Sequence, residues 1–253
     1  MEPITASTAR RLARIAGGLY LINIVGGAFA IGVIPAMLIV TGDVSATAHN
    51  IQSQDFLYRS GLVAHIVILV TNVIMSVIFW DLFKVVNRRV AMLAVLFGIL
   101  GTAVEAGTLL NQFVPLVLLG SGPAAGALPA SEAQGLTYVS VALSEIGYSI
   151  YSAFFGFLGI CLGYLVFRST FLPRIIGVLL VLGGFSYLSY GFVDLLAPGL
   201  AAHLVPWIQL PALIGEGSFA LWLLAASVNA QRWTERTARP RVLSPSVPSP
   251  ATV

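Results

Sequence analysis

Charge is what this sequence has least of. Among 253 residues only 9% are Asp, Glu, Lys or Arg, where a soluble domain carries roughly one quarter. With 58% of the chain hydrophobic, a water-soluble fold is excluded, and the composition is that of a polytopic membrane protein whose first partner is the lipid bilayer. Cysteine is nearly missing as well. The single Cys161 lies in an apolar run, which rules out an intramolecular disulfide and a CxxC motif and leaves packing as its reading. The formal charge of +3 comes from arginines scattered between apolar runs, without the basic patch that nucleic-acid binding needs. HExxH, ExxH, GxSxG and phosphate-loop patterns are absent, so no cofactor is implied and nucleophilic catalysis has no recognisable elbow.

What is present is a series of long apolar runs. Six spans are predicted at about 15–40, 60–83, 90–119, 136–166, 175–197 and 207–230, each bounded by charge, Pro or Gly. The fold class that follows is all-α, a bundle of six transmembrane helices. If the N-terminus is cytoplasmic, the same side holds Arg10, Arg11, Arg14, Lys84, Arg88, Arg89, Arg168, Arg174, Arg232, Arg236, Arg239 and Arg241, and only Arg59 falls outside. That bias is the positive-inside pattern for both termini cytoplasmic in a cell's inner membrane. "RRLAR" followed by an apolar stretch and "AFA" imitates a cleaved signal, but the apolar run continues to Val40, too long for a signal core, so an uncleaved first helix is expected.

The chain is therefore divided into a cytoplasmic segment of about 14 residues, a membrane domain over about 15–230 and a Pro/Ser-rich tail over about 231–253, expected to be disordered. The outer loop "TGDVSATAHNIQSQDFLYRS" is expected to hold a short surface helix capped by Ser45. "GSGPAAGALPASEAQG" reads as a flexible spacer. Gly156, Gly159 and Gly163 on one helix, and Gly98 with Gly101 on another, permit close helix packing, either within the chain or in a homo-oligomer.

Ionisable residues inside the spans carry the functional question. His65, Glu105, Glu145, Asp194 and Glu216 fall in five different spans, and each costs about 2.5–3.5 kcal/mol at a helix centre facing lipid. They are expected to face one another. Counting from the inner basic residues puts Glu105 and Glu216 at ~24 Å, His65 at ~28 Å, Asp194 at ~30 Å and Glu145 at ~34 Å, all in the outer part of the bundle. Helical spacing extends the set into polar stripes: His65, Asn72 and Ser76; Tyr138, Glu145, Ser149 and Ser152 with Tyr148 adjacent; Tyr187, Tyr190 and Asp194; Gln209 and Glu216. Pro35, Pro115 and Pro211 lie near the outer ends of three spans, where missing hydrogen bonds free carbonyls. The candidate ligand-binding set is His65, Asn72, Glu105, Glu145, Tyr148, Tyr190, Asp194 and Glu216. Interfacial placement is the plain alternative for Asp194 and Glu145. Asp81 and Lys84 read as an inner ion pair.

One histidine with several acids is a poor metal set, and His65, Glu105 and Glu216 are the residues a metal would have to use. "RIAGGLYLINIVGG", "FRSTFLPRIIGVLLVLGGFSYL" and "LPALIGEGSFALWLL" together resemble the bacterial membrane family of domain of unknown function 4386, over roughly residues 10–230. Pro173 with Arg174 and Gly215 with Glu216 are its more specific elements. The resemblance implies six spans with both ends inside and supplies no catalytic residue. Three functional readings stay open: capture of a small cation or amphiphile in an outward-facing polar cavity, transport of a small solute or coupling to protons, and intramembrane catalysis by clustered carboxylates.

Overall fold

The computed structural model describes residues 4–122 and 126–238. Among these every regular element is helical. Six helices are long and apolar enough to cross a membrane: Ala6–Leu38, Asp55–Phe83, Arg88–Leu118, Ala130–Arg168, Arg174–Leu196 and Trp207–Ala225. They are numbered first to sixth span below. With no water in hydrocarbon to satisfy the backbone, a chain without strands crosses it as helices whose hydrogen bonds close within each segment.

The spans form a ring in chain order. Each packs on the next, and the sixth packs back on the first. Glycine permits the closest of these approaches. A Cβ at Gly156 would lie 2.6 Å from Leu188 Cγ and 2.8 Å from the Gly184 carbonyl oxygen, and one at Gly163 would lie 2.6 Å from the Gly177 carbonyl oxygen. The small-residue face of the fourth span is therefore used within the chain, against the fifth. Gly17 does the same for the first span, with Leu224 N at 2.6 Å and Ala220 O at 2.7 Å.

At one end the ring is solid. Tyr20, Phe79, Phe83, Leu162, Leu165, Phe219 and Leu223 are all buried there in one apolar core. Aromatic contacts run through it as a column, from Tyr20 to Phe79 (6.2 Å), Phe83 (6.3 Å), Phe171 (6.2 Å) and Trp233 (4.9 Å between ring centres). Trp233 belongs to a further helix, Ala230–Ala238, so the expectation of a disordered tail is corrected for that stretch. The sequence there is polar, and its one buried aromatic anchors it: the Trp233 indole donates to the Ile4 carbonyl at 3.1 Å, Arg236 to that of Val86 at 3.2 Å and Arg232 to that of Thr170 at 3.1 Å. These contacts gather Ile4, the Ala230–Ala238 helix and the two basic loops at the same end of the bundle. Asp81 and Lys84 pair nearby at 2.5 Å. Arg239, Arg241 and the rest of the tail lie outside the described residues.

The opposite end is looser, and proline is the reason. Ahead of Pro35 the first span widens into a π-helical stretch, Ala28–Val33. Ahead of Pro115 and Pro211 the third and sixth spans tighten into 3-10 turns, Leu110–Phe113 and Trp207–Gln209. Proline supplies no N–H, and its ring crowds the carbonyl four residues back, so each helix departs from α geometry at that turn. Side chains take up carbonyls at these turns: Tyr58 donates to that of Gln112 at 2.7 Å, and Ser186 donates to that of Ile208.

Two outer segments differ from expectation. The surface helix Val44–Ser53 is capped by Asp43, whose carboxylate accepts from Ala46 N at 2.8 Å, and not by Ser45. An ionised acceptor two residues earlier wins because its extended backbone suits a cap. The spacer loop is shorter than predicted, since the fourth span begins at Ala130 after Pro129. Residues 123–125 of that loop lie outside the described residues.

Candidate functional site

Between the aromatic core and the loose end lies a cavity of about 1040 Å³. That is the upper end of the size range of small-molecule sites. All six spans contribute to its wall, and His65, Asn72, Glu105, Glu145, Tyr148, Tyr190, Asp194 and Glu216 all line it.

Two of these are deeply committed to each other. His65 Nε2 donates to Glu105 Oε1 at 2.8 Å, with the residues only 5% and 3% exposed. Such a pair compensates two polar groups that hydrocarbon would reject singly. Glu105 thus takes His65 as its partner and not Glu216. The remaining atoms of this strip are unspent. His65 Nδ1, Glu105 Oε2, Asn72 Nδ2 and Thr102 Oγ1 are buried and make no hydrogen bond among the described residues. All four residues face the same cavity, and buried polar atoms in native proteins ordinarily find partners.

Elsewhere the polar groups are held more lightly. Asp194 accepts from the Ser149 hydroxyl. Glu216 is half-buried and faces two tyrosine hydroxyls, those of Tyr20 and Tyr187, the latter at 3.5 Å, at the outer limit of a useful hydrogen bond. Glu145 is exposed at the cavity's rim. The lining therefore holds four carboxyl groups, from Glu105, Glu145, Asp194 and Glu216, one histidine and no lysine or arginine. Between them the wall is mostly apolar or aromatic, with uncharged polar side chains such as Asn23, Asn72, Thr102 and Gln112. Tyr148 stacks on Tyr151 at 5.5 Å and meets Tyr190 edge-on at 5.6 Å, and Phe155 reaches Tyr187 at 6.4 Å.

The fourth-span stripe does not stay together. Tyr138 sits at the surface, where its hydroxyl accepts from Gly42 N at 2.8 Å. Ser149 and Ser152 are fully buried and absent from the lining; Gly191 of the fifth span lies so close that a Cβ there would meet the Ser149 carbonyl oxygen at 2.7 Å. The cavity face of that helix is instead Glu145, Tyr148, Tyr151 and Phe155, a three-four spacing one step round. Sequence reasoning missed Tyr20, Asn23 and Tyr151 as lining residues. Beyond Arg14 the first span has no acid, histidine or basic residue to draw notice, yet Asn23 links it to the second: its amide donates to Asn72 Oδ1 at 2.5 Å and its oxygen accepts from Thr71. A polar residue at three-residue spacing from a tyrosine, inside an apolar run, was the available signal.

For metal chemistry, no group of at least three His, Cys, Asp and Glu side chains among the described residues is arranged to hold an ion. For acid–base catalysis, His65 Nδ1 bonds no hydroxyl or thiol, so the nucleophile–base contact that such chemistry uses is not formed.

Fold and site together define a multi-pass membrane protein with a wide cavity at one end of a six-helix ring. The family model described as a domain of unknown function, DUF4386, matches residues 15–226, and the chain belongs to that family. Comparison with curated proteins and with solved structures finds no match.

Proposed function

We propose that this protein binds a cationic amphiphile, an organic amine with an apolar tail, in the cavity between its helices. The observation that carries the reading is the cavity's charge asymmetry: four acids and no basic side chain other than His65, in a wall whose remaining surface is aliphatic and aromatic with uncharged amides and hydroxyls among it. A protonated amine satisfies each part of that chemistry. Its N–H groups donate to carboxylates, its charge is attracted to tyrosine faces, and its tail is covered by the apolar wall. Glu216 is the anchor we assign to the amine, because the other deep acid, Glu105, is already bonded to His65.

Binding is favoured over passage. The aromatic column between Tyr20 and Trp233 occupies the path from the cavity to the basic end, and a transport site needs access to both faces. We assign the basic end to the cytoplasm and the cavity end to the outside of the inner membrane, on the positive-inside bias. A cysteine at Gln231, in a Cys161→Ala background, should resist membrane-impermeant thiol reagent in intact cells and react once the membrane is opened; labelling in intact cells reverses the orientation.

The binding reading is tested by thermal unfolding of the purified protein with dodecylammonium chloride. Wild type should be stabilised in a saturable way. Glu216→Gln should fold as well as wild type and show no such shift. Equal shifts in both proteins remove Glu216 from the site, and no shift in wild type removes the reading.

A further inference from the structure

The ring of helices is not closed along its whole length. At the basic end the first and sixth spans touch closely, Gly17 against Ala220 and Leu224, with Tyr20 and Phe219 rings 6.0 Å apart. Toward the cavity end they part. The π-helical stretch Ala28–Val33 and the turn after it pack on the second span, and among the described residues no comparable packing joins them to the sixth. The sixth span there leans on the fifth, where Ala212 lies against Gly183.

Both sides of this gap line the cavity: Gly27, Ala28 and Gly32 on one, Gln209, Leu210 and Leu213 on the other. The cavity wall is thus formed by two spans that do not pack on each other here. Ala28, Gly32, Leu210 and Leu213 are exposed. A Cβ added at Gly27 or Gly32 would meet nothing within 4 Å, so these glycines leave space that no neighbour fills. Close packing explains Gly17 and Gly156; it does not explain these. A row of small residues alone would say little, but the gap leads to a chamber that also holds the unpartnered buried atoms of His65, Asn72, Thr102 and Glu105.

We infer that the gap between the first and sixth spans is a lateral portal, through which a membrane-dissolved, single-chain amine slides head-first from the bilayer into the cavity. The inference rests on the amine-binding reading above and narrows its ligand class to molecules that partition into lipid. The apolar rim keeps the tail in a lipid-like environment throughout. The head passes the π-helical turn and reaches Glu216, which lies on the sixth span two turns beyond Gln209. A short, water-soluble amine has a different route, through the cavity's end at Glu145 and Asp194, where the wall is polar and Glu145 is exposed.

The test compares two amines in nanodiscs. Radiolabelled dodecylammonium and propylammonium are each followed to equilibrium on wild type and on a Gly27→Phe/Gly32→Phe variant. The variant should bind dodecylammonium at least about tenfold more slowly, while the propylammonium association rate stays within about threefold of wild type, because only the portal is obstructed. Dodecylammonium binding to the variant at the wild-type rate overturns the portal. Slowing of both amines also overturns it, since the two routes would then not be separate. If wild type binds neither amine, the amine-binding reading itself fails, a distinct result. Should the double variant not fold, Leu213→Trp narrows the opposite rim at an exposed position and carries the same expectations.

Discussion

The two halves of this bundle solve the same problem in opposite ways. At the basic end the helices approach through glycine, and aromatic side chains fill the centre with hardly a polar atom among them. At the other end prolines disturb three helices, and the centre is left open and furnished with acids. Only the first half looks like a solution to folding. Helices in lipid gain nothing from hiding apolar surface, so packing quality must hold them together, and the half that gives packing up must be retained for another reason. The difference teaches that the polar residues are concentrated where the helices pack least closely.

This contrast can be broken most severely from the packed side. Phe219→Ala, at a fully buried position touching Tyr20 and Phe79, should lower unfolding free energy by about 3–5 kcal/mol, measured by denaturant titration in mixed micelles. Leu213→Ala at the open end should lie within about 0.5 kcal/mol of wild type. Next comes the buried pair. His65→Ala strands Glu105 and should cost about 3 kcal/mol, whereas the double replacement His65→Leu/Glu105→Leu should recover most of it. A double variant as unstable as the single one would show that the pair holds the fold together. A smaller effect is expected from Gly156→Val, which drives a side chain into Leu188 and the Gly184 carbonyl and should cost about 1–3 kcal/mol. Gly107→Ala, facing open space, should be neutral or slightly stabilising by the same assay. Glu216→Gln is likewise expected within about 1 kcal/mol of wild type in stability, although its effect on amine binding is complete.

Much of the frame was legible in the sequence. Hydropathy gave six spans because each is long and bounded by charge or proline, and counting from the basic loops set the acids at similar depth before any neighbour was known. The way the helices are turned was harder to read. In a soluble helix the apolar face marks the inside, but here lipid and cavity wall are both apolar, and rotation is betrayed only by rare polar residues. Glu145 and Tyr148 were readable for that reason. Ser149 and Ser152 misled, because a buried serine facing Gly191 on a neighbouring helix looks the same in sequence as one facing a cavity. Tyr20 and Asn23 were overlooked in the stretch beyond Arg14, which carries no charge. The helix at Ala230–Ala238 escaped notice because it is short and polar, with Trp233 as its one buried large side chain, so it has no apolar run to mark it. The gap between the first and sixth spans has no sequence signature, since it depends on which helices part company.

The claim on which the account depends is that the open half selects positive charge. Its most direct test is equilibrium binding of dodecylammonium, dodecanol and dodecylsulfate, equal in chain length and different in head group, to the wild-type protein in uncharged nanodiscs. Saturable binding of the ammonium alone, at one molecule per chain on the order of a single cavity, is the predicted result. Equal uptake of all three, or preference for the sulfate, would contradict it.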